Sequence, residues 1–274
     1  MSRFEGPWAL ILGSSSGFGA ATAIELARNG YGIFGVHFDR RDTVANAEEV
    51  QRAIRQAGTE ADFFNANAGD PETVDMVVER IIERLGGADA LEDTAENGSP
   101  IRVLMHSIAF GTLKNYVGGP QTTWLTEKGL NMTQHLMANT LVYWVQALVH
   151  AGLLGRGGRV IAMTSSGGHR VWHSYGAVSS AKAALESHVR QLALELASVG
   201  ATANAIQAGV TDTPSLRRIP DYQHMIEYAT RVNPHGRLTT AEDVARAIAA
   251  LVDERTQWLT GNVIRVDGGE DMVG

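Results

Sequence analysis

The sequence has no cysteine, which excludes disulfide bonds, thiolate metal sites and a cysteine nucleophile, and makes a reducing cytoplasm the simplest location. Positive charge is also scarce, because 23 Lys and Arg face 30 Asp and Glu, a net charge of −7. We therefore expect no nucleic-acid partner, since phosphate binding needs a surplus of positive surface. Long apolar runs are missing too: residues 136–154 are interrupted by Asn139, Gln146 and His150, so we expect no membrane association.

What the sequence does contain is an alternation of short apolar runs with longer helical stretches. Continuous apolar runs are typical of strands covered on both faces, and helix-length intervals between them favour right-handed parallel crossovers. The pattern predicts an α/β fold, a Rossmann-like doubly wound sheet of seven mainly parallel strands flanked by helices, in one domain over residues 1–274. The predicted strands are 8–12, 32–37, 62–65, 102–107, 159–164, 202–207 and 262–266.

Two segments fit this alternation less well. Residues 86–100 are acidic and rich in small side chains, which is typical of a solvated surface loop. Residues 211–231 follow the sixth predicted strand and contain Pro214 and Pro220. Because ligands of open α/β sheets bind beyond the carboxyl ends of the strands, we predict that residues 211–231 form a substrate lid.

A glycine-rich loop directly follows the first predicted strand and precedes an amphipathic helical stretch. Its glycines are spaced by four and two residues, unlike the G-x-G-x-x-G pattern. Glycine lets a pyrophosphate approach backbone N–H groups at a helix N-terminus, although a plain tight turn is the alternative. The residues that we assign to the cofactor phosphates are Gly13, Ser15, Ser16, Gly17, Phe18 and Gly19.

The end of the second predicted strand carries charges that bear on the choice of cofactor. A carboxylate there would bind the adenosine ribose hydroxyls of NAD, whereas an arginine would pair with the 2′-phosphate of NADP. His37 stands where the selective carboxylate is expected, Asp39 follows two positions later, and Arg40 and Arg41 come next. The arginines predict NADPH, with NADH as the alternative if they merely solvate a loop.

Tyr175 and Lys182 lie in a helical stretch after the fifth predicted strand and are seven positions apart. Two helical turns span about 7.2 residues, so the two side chains share one helix face, with room between them for a nicotinamide ribose. Lys182 would hydrogen-bond the ribose hydroxyls. Its charge would also lower the pKa of Tyr175 from about 10, which would make the phenol an effective acid.

Together these motifs resemble the short-chain dehydrogenase/reductase family over nearly the whole chain. The resemblance also includes Asn139, Ser165, Thr213 and the closing Val-Asp-Gly-Gly at residues 266–269. Most members have Tyr-x3-Lys, which would place the tyrosine at Val178. The Tyr-x6-Lys spacing, His-Ser-Ile-Ala-Phe at 106–110 and Lys-Ala-Ala-Leu-Glu at 182–186 are similar to bacterial enoyl-acyl-carrier-protein reductases. Ser165 and the glycine loop are similar to an NADPH-dependent branch of those enzymes.

The resemblance implies that Tyr175, Lys182, Ser165 and Asn139 are the catalytic residues. Asn139 would bend its helix around a water molecule and link Lys182 to solvent. Plainer interpretations remain for two of them: Ser165 can terminate its strand or cap the next segment, and Asn139 can be a buried polar group bonded to a neighbouring backbone.

The resemblance also implies cofactor contacts outside the glycine loop. Thr213 would contact the nicotinamide carboxamide, unless it is the N-cap before Pro214. Asn67 would meet the adenine, unless it is an ordinary loop residue. The remaining contacts that the resemblance implies are Ser107, Ile108, Ala109, Gly209 and Thr211.

Two pairs of charged residues have less specific patterns. His169 and His173 are four apart, a spacing that binds metal on a helix, but they lie in a glycine-flanked connection without a carboxylate motif, so no metal is predicted. Arg217 and Arg218, in the predicted lid, form either a solvated pair or a contact to the phosphates of phosphopantetheine or an acidic carrier protein.

The leading functional hypothesis is NADPH-dependent reduction of the 2,3 double bond of an enoyl thioester, on acyl carrier protein or CoA, in fatty-acid or related acyl metabolism. The alternative is a carbonyl reductase or alcohol dehydrogenase that uses the same Tyr175 and Lys182. A dinucleotide-sensing protein without turnover is disfavoured, because such a protein usually lacks the Tyr or the Lys. Apolar helices over 133–154 and 177–197, with the resemblance, imply a homotetramer or homodimer.

Overall fold

The computed structural model describes residue 4, residues 6–87 and residues 98–273. In this part of the chain, seven strands form one sheet in the order β3-β2-β1-β4-β5-β6-β7, and all neighbours are parallel. The strands are β1 (Trp8–Leu12), β2 (Gly32–His37), β3 (Ala61–Asn65), β4 (Ile101–His106), β5 (Arg159–Ser165), β6 (Thr202–Ala208) and β7 (Val263–Val266). The predicted doubly wound α/β fold is confirmed, with strand ends shifted by at most about one residue.

Helices connect successive strands and cover both faces of the sheet. They are α1 (Gly17–Arg28), α2 (Val44–Gln56), α3 (Pro71–Leu85), α4 (Glu127–Gln134), α5 (Thr140–His150), α6 (Gly176–Glu195), α7 (Tyr222–Val232) and α8 (Ala241–Leu251). A π-helical segment, His135–Asn139, joins α4 to α5. Within the described ranges, none of these helices has the length and apolarity needed to cross a lipid bilayer.

Apolar side chains form a core on each face of the sheet. Residues of α3, α5 and α6 pack on one face, where Trp144 is fully buried. Residues of α1, α2 and α8 pack on the other, around side chains such as Leu26 and Ile248. All five residues of β1 are buried, which explains why its sequence is a continuous apolar run instead of an alternation.

The strand order creates a crevice at the carboxyl ends of β1 and β4. The chain builds the sheet outward from β1 to β3, then returns and continues outward on the other side from β4. Open α/β sheets bind ligands at such a switch point. Of the predicted lid, the structure forms a short turn at Leu216–Arg218 and the helix α7. Most of the predicted acidic surface loop, residues 88–97, lies outside the described residues.

Candidate active site

The glycine loop between β1 and α1 is closely packed against neighbouring backbone. Gly13 has a φ of +89°, and its N–H donates to the carbonyl of Val36 over 2.8 Å. A Cβ at Gly13 would stand 2.5 Å from the carbonyl oxygen of Ser107, and a Cβ at Gly19 would overlap the carbonyl of Gly13. The loop therefore requires glycine. It also leads into the first turn of α1, whose unpaired N–H groups favour an anion, so the loop fits a cofactor pyrophosphate.

Asp39, just after β2, is held firmly beside this loop. The side chain of Asn65 clamps its backbone, because Asn65 accepts from Asp39 N over 2.9 Å and donates to Asp39 O over 3.0 Å. His37 Nδ1 donates to the carboxylate over 2.8 Å. Burial acts to raise the pKa of Asp39, but hydrogen bonds from Ser15, Thr43 and His37 outweigh it and lower the pKa. A fixed, ionised carboxylate thus faces the phosphate loop.

The two arginines that favour NADPH are less constrained by the surrounding structure than Asp39 is. Arg40 and Arg41 are both exposed in the turn between β2 and α2. The backbone N–H of Arg40 donates to Thr43 Oγ1 over 3.2 Å, which shapes the turn. This bond does not involve the guanidinium group of Arg40. The sequence-based prediction of NADPH therefore rests on two exposed side chains, whereas Asp39 is held in place.

The predicted catalytic residues Ser165, Tyr175 and Lys182 come together in one cavity of about 430 Å³ at the carboxyl ends of β4, β5 and β6. Ser165 ends β5, Tyr175 directly precedes α6, and Lys182 lies in the second turn of that helix. The hydroxyl of Ser165 accepts from Gly167 N over 3.1 Å and hydrogen-bonds the phenol of Tyr175. Lys182 is buried, and its Nζ donates to the carbonyl of Met163 over 2.7 Å.

The pKa shift of Tyr175 differs from the sequence-based expectation. Burial raises the pKa of Tyr175, and it is the hydrogen bond with Ser165, not the charge of Lys182, that opposes the rise. Burial also lowers the pKa of Lys182 to about 8, against the opposing effect of Glu186. The expectation that Lys182 lowers the pKa of Tyr175 was therefore wrong, because removal from water dominates both groups.

Asn139 lies at the end of the π-helical segment, where the helix is locally widened. Its side-chain oxygen accepts from His188 Nε2 of α6 over 3.2 Å. This contact ties the π-helical segment to α6 six residues beyond Lys182. The helix is π-helical at this point, while the predicted bend around a water molecule and the predicted link from Lys182 to solvent through Asn139 stay predictions.

Thr213 and Asn67 were predicted to contact the cofactor, with a cap and an ordinary loop residue as the respective alternatives. The hydrogen bonds that they make are those expected of the alternatives. Thr213 Oγ1 accepts from Leu216 N over 3.2 Å and so caps the turn that starts the lid segment, although Thr213 also lines the cavity. Asn67 donates to Asp70 Oδ1 over 2.9 Å and accepts from Gly69 N over 3.1 Å, within its own loop. These bonds leave the roles toward nicotinamide and adenine as predictions.

The predicted contacts after β4 and β6 do line the cavity, and so does the lid segment. The predicted residues on its wall are Ser107, Ile108, Ala109, Gly209, Thr211 and Thr213. Met225 and Tyr228 of α7 also line it, and Trp172 stacks on His224 of α7 with ring centroids 6.3 Å apart. The segment 211–231 thus borders the cavity as expected for a lid, while its closure over a substrate stays a prediction.

Val178 is a cavity residue of particular interest. It occupies the position at which most family members would have tyrosine, and its buried side chain lines the same cavity as Tyr175. The phenol is therefore supplied from one helical turn earlier, at the very start of α6. The usual phenol position is apolar here.

Sequence reasoning missed a set of acidic and basic residues from the C-terminal end that shape the cavity. Asp271 pairs with Arg170 over 2.7 Å and with His169 over 3.1 Å, and Glu270 accepts from Val210 N over 3.1 Å. These contacts tie the chain end to the loops after β5 and β6. No local pattern signals them, because the partners are separated by 60 or more positions.

A comparison with protein families agrees with the fold. Residues 13–270 match the family described as Enoyl-(Acyl carrier protein) reductase. The chain is 31% identical to the NADH-dependent enoyl-[acyl-carrier-protein] reductase FabI of Aquifex aeolicus, over 65% of each protein. It is 27% identical to 1-cyclohexenylcarbonyl-CoA reductase of Streptomyces collinus, over 96% of the chain and 86% of that protein.

Other relatives act on alcohols or bind a different cofactor. The chain is 28% identical to cyclohexanol dehydrogenase of a Rhodococcus species, over 96% of both proteins. A short-chain dehydrogenase of Burkholderia cenocepacia, solved in complex with NADP, superposes with a TM-score of 0.78 at 26% identity, over 98% of the chain and 100% of that structure.

Proposed function

The chain is an oxidoreductase of the short-chain dehydrogenase/reductase family that resembles enoyl-acyl-carrier-protein reductases, and we propose that it reduces the 2,3 double bond of an enoyl thioester. The observation that carries this proposal is the position of the phenol. Tyr175 enters the cavity from the start of α6, while the usual phenol position is the apolar Val178. An alkyl side chain there suits the hydrocarbon part of an acyl group and offers no proton to a carbonyl.

The cofactor is a nicotinamide dinucleotide, as in the relatives. The glycine loop would hold its pyrophosphate, Asp39 its adenosine ribose and Lys182 its nicotinamide ribose. When bound, the nicotinamide supplies the hydride for the reduction. We propose NADH as the preferred form, in place of the NADPH that Arg40 and Arg41 favour, because Asp39 is fixed and ionised beside the loop.

Tyr175 acts on the oxygen of the thioester. Reduction at the β-carbon leaves an enolate, and a phenol that donates a hydrogen bond to the enolate oxygen stabilises the charge as it develops. The buried site strengthens this bond, because the surrounding dielectric is low. A proton from solvent then adds to the α-carbon and completes the saturated thioester. The phenol stays protonated throughout, which fits a pKa that burial holds above the ordinary value.

Ser165 has a supporting role in this mechanism. Its hydroxyl hydrogen-bonds Tyr175, while Gly167 N donates to the same oxygen. Ser165 thus orients the phenol and need not touch the substrate. The acyl group would come from acyl carrier protein or CoA, in fatty-acid or related acyl metabolism. Arg218 at the cavity rim is a candidate for the carrier's phosphate, whereas Arg217 is already paired in bidentate fashion with Asp212.

One observation favours a second candidate, the reduction of a ketone or the oxidation of an alcohol. The Ser165 hydroxyl and the Tyr175 phenol line the same cavity, and Ser165 lies close enough to lower the pKa of the phenol. In that reaction Tyr175 gives its proton to the new alkoxide and Ser165 holds the carbonyl. The two reactions therefore differ in what Ser165 does.

The deciding experiment measures cofactor oxidation with crotonyl thioesters of CoA and acyl carrier protein, against a panel of ketones. For enoyl reduction, Tyr175→Phe and Lys182→Ala lower turnover by about two to four powers of ten, as for a lost acid or oxyanion donor. Ser165→Ala costs less than about tenfold, because only an orienting bond is lost. Tyr143→Phe, an exposed phenol on α5, is the matched control and leaves turnover unchanged.

Ketone turnover without crotonyl turnover, together with a Ser165→Ala variant as inactive as Tyr175→Phe, would establish the second candidate and refute the first.

A further inference from the structure

Two consecutive residues at the end of β5 bind two residues that are one turn apart on α6. The carbonyl of Met163 accepts from Lys182 Nζ over 2.7 Å. The hydroxyl of Thr164 donates to Glu186 Oε1 over 2.6 Å. Lys182 and Glu186 are four positions apart, so they share one helix face. The strand therefore fixes a basic and an acidic side chain next to each other.

The charge of Glu186 acts against the burial of Lys182. Lys182 is 5% exposed, and removal from water lowers its pKa to about 8. Glu186 is the group that opposes this effect. Without its negative charge, the pKa of Lys182 would lie lower, and the side chain would lose its proton within the neutral pH range.

Within the described residues, the other titratable groups around Lys182 do not supply a negative charge. Burial, aided by the charge of Lys182 itself, lowers the pKa of His106 on β4 to about 3, so this imidazole is neutral. Burial raises the pKa of Tyr175 and keeps the phenol neutral. Burial also lowers the pKa of His188 on α6, so this imidazole favours its neutral form.

Two further charged side chains, Arg170 and Glu270, line the cavity. Arg170 is paired with Asp271, which partly neutralises it. Burial raises the pKa of Glu270, and its carboxylate is bound to Val210 N. Neither is among the groups that act on Lys182.

The turn after β5 closes over the pair. A Cβ at Gly168 would lie 3.1 Å from Glu186 Oε1 and 3.6 Å from Lys182 Cβ. The backbone of the turn thus packs directly on both side chains, which limits the access of water. Shielding from water strengthens the attraction between a carboxylate and an ammonium group.

We propose that Glu186 is a positioning residue that keeps the buried amino group of Lys182 protonated, with Thr164 fixing its carboxylate. The protonated form is the one that holds the ribose of the nicotinamide dinucleotide. The inference rests on the proposed role of Lys182 in binding that cofactor, but it does not depend on whether the substrate is an enoyl thioester or a ketone.

The test is the pH dependence of cofactor binding in Glu186→Gln, which keeps an oxygen to accept from Thr164 and removes only the charge. NADH is titrated into the protein from pH 6 to 9.5, and the dissociation constant is read from nicotinamide fluorescence. We expect the pH at which binding weakens to fall by about one unit. The dissociation constant then rises about eightfold over wild type at pH 8.5 and stays within about twofold at pH 6.

Three further variants separate charge from structure. Glu195→Gln, an exposed glutamate on the same helix, loses the same charge about 20 Å along the axis from Lys182 and keeps the wild-type profile. Glu186→Asp retains the charge and keeps the profile even where the melting temperature falls. Thr164→Val frees the carboxylate and gives a smaller shift in the same direction as Glu186→Gln.

A Glu186→Gln profile that coincides with wild type, or one in which binding weakens equally at every pH, would overturn the proposal. The first result would mean that Glu186 does not set the protonation of Lys182. The second would mean that the role of Glu186 is structural. Cofactor binding is measured without substrate. A failure to reduce enoyl thioesters would therefore refute the proposed reaction without affecting the test of Glu186.

Discussion

The carboxylate of Asp39 gives the sharpest prediction about cofactor choice. The Asp39 side chain is only 12% exposed, its backbone is clamped by Asn65, and its carboxylate accepts from His37 Nδ1 over 2.8 Å. It is ionised at neutral pH, because the hydrogen bonds that lower its pKa outweigh the effect of burial. A 2′-phosphate at this end of the site would be repelled by the negative charge of Asp39, which is held in place and cannot rotate away.

The size of the penalty follows from Coulomb's law. Two unit charges about 6 Å apart near a protein surface interact by about 3 kcal/mol. Salt screening at the partly open rim lowers this to between about 1 and 2 kcal/mol, a factor of about five to thirty in affinity. We therefore expect wild-type protein to bind NADH about tenfold more tightly than NADPH.

The perturbation is Asp39→Asn, which keeps the shape and an acceptor oxygen but removes the charge. We expect the ratio of the NADPH and NADH dissociation constants to fall about tenfold, chiefly through tighter NADPH binding, as measured by fluorescence titration. Asp42→Asn, an exposed carboxylate in the same turn, is the matched control and leaves the ratio unchanged. Equal or tighter NADPH binding by wild type, lost in Arg40→Ala or Arg41→Ala, would refute this reasoning and restore the sequence-based prediction.

Two further predictions concern the phosphate loop and the assembly. Gly19→Ala raises the cofactor dissociation constant more than about a hundredfold and lowers the melting temperature, because the new methyl group overlaps the backbone of Gly13, which cannot yield locally. Gly155→Ala, where the nearest atom to the methyl group is 3.8 Å away, changes neither in the same titration and thermal scan. We expect sedimentation velocity at micromolar concentration to show a homotetramer or homodimer, in which a second copy would cover apolar residues such as Leu194, 72% exposed on α6. A stable monomer would contradict this expectation.

The features that sequence predicted well are those set by neighbours along the chain. The strand limits were correct to about one residue, because fully buried strands require continuous apolar runs and helices begin and end at local signals. The glycine loop was predictable for a similar reason, since only glycine adopts the φ of +89° found at Gly13. The spacing of Tyr175 and Lys182 likewise placed both at one end of α6.

The charge states in the site were not predictable in this way. The sequence suggested that Lys182 would lower the pKa of Tyr175, whereas burial raises it and Ser165 opposes the rise. Burial is a property of the packed core, so a sequence pattern does not report how far a side chain is removed from water. In the same way, the sequence shows Asp39 only as one acid beside two arginines. The contact that holds Asp39 comes from Asn65, 26 positions away.

The amino-acid pattern was enough to predict the architecture and the reactive groups, because periodicity, turn chemistry and residue type act over a few positions. Tertiary packing sets which of these groups meet and in what state of charge. It brought Asp271 to Arg170 across 101 positions, and it placed Glu186 beside Thr164 under the turn at Gly168. The physical reason is that electrostatic energy depends on distance and solvent access in three dimensions, and neither is encoded locally in the chain.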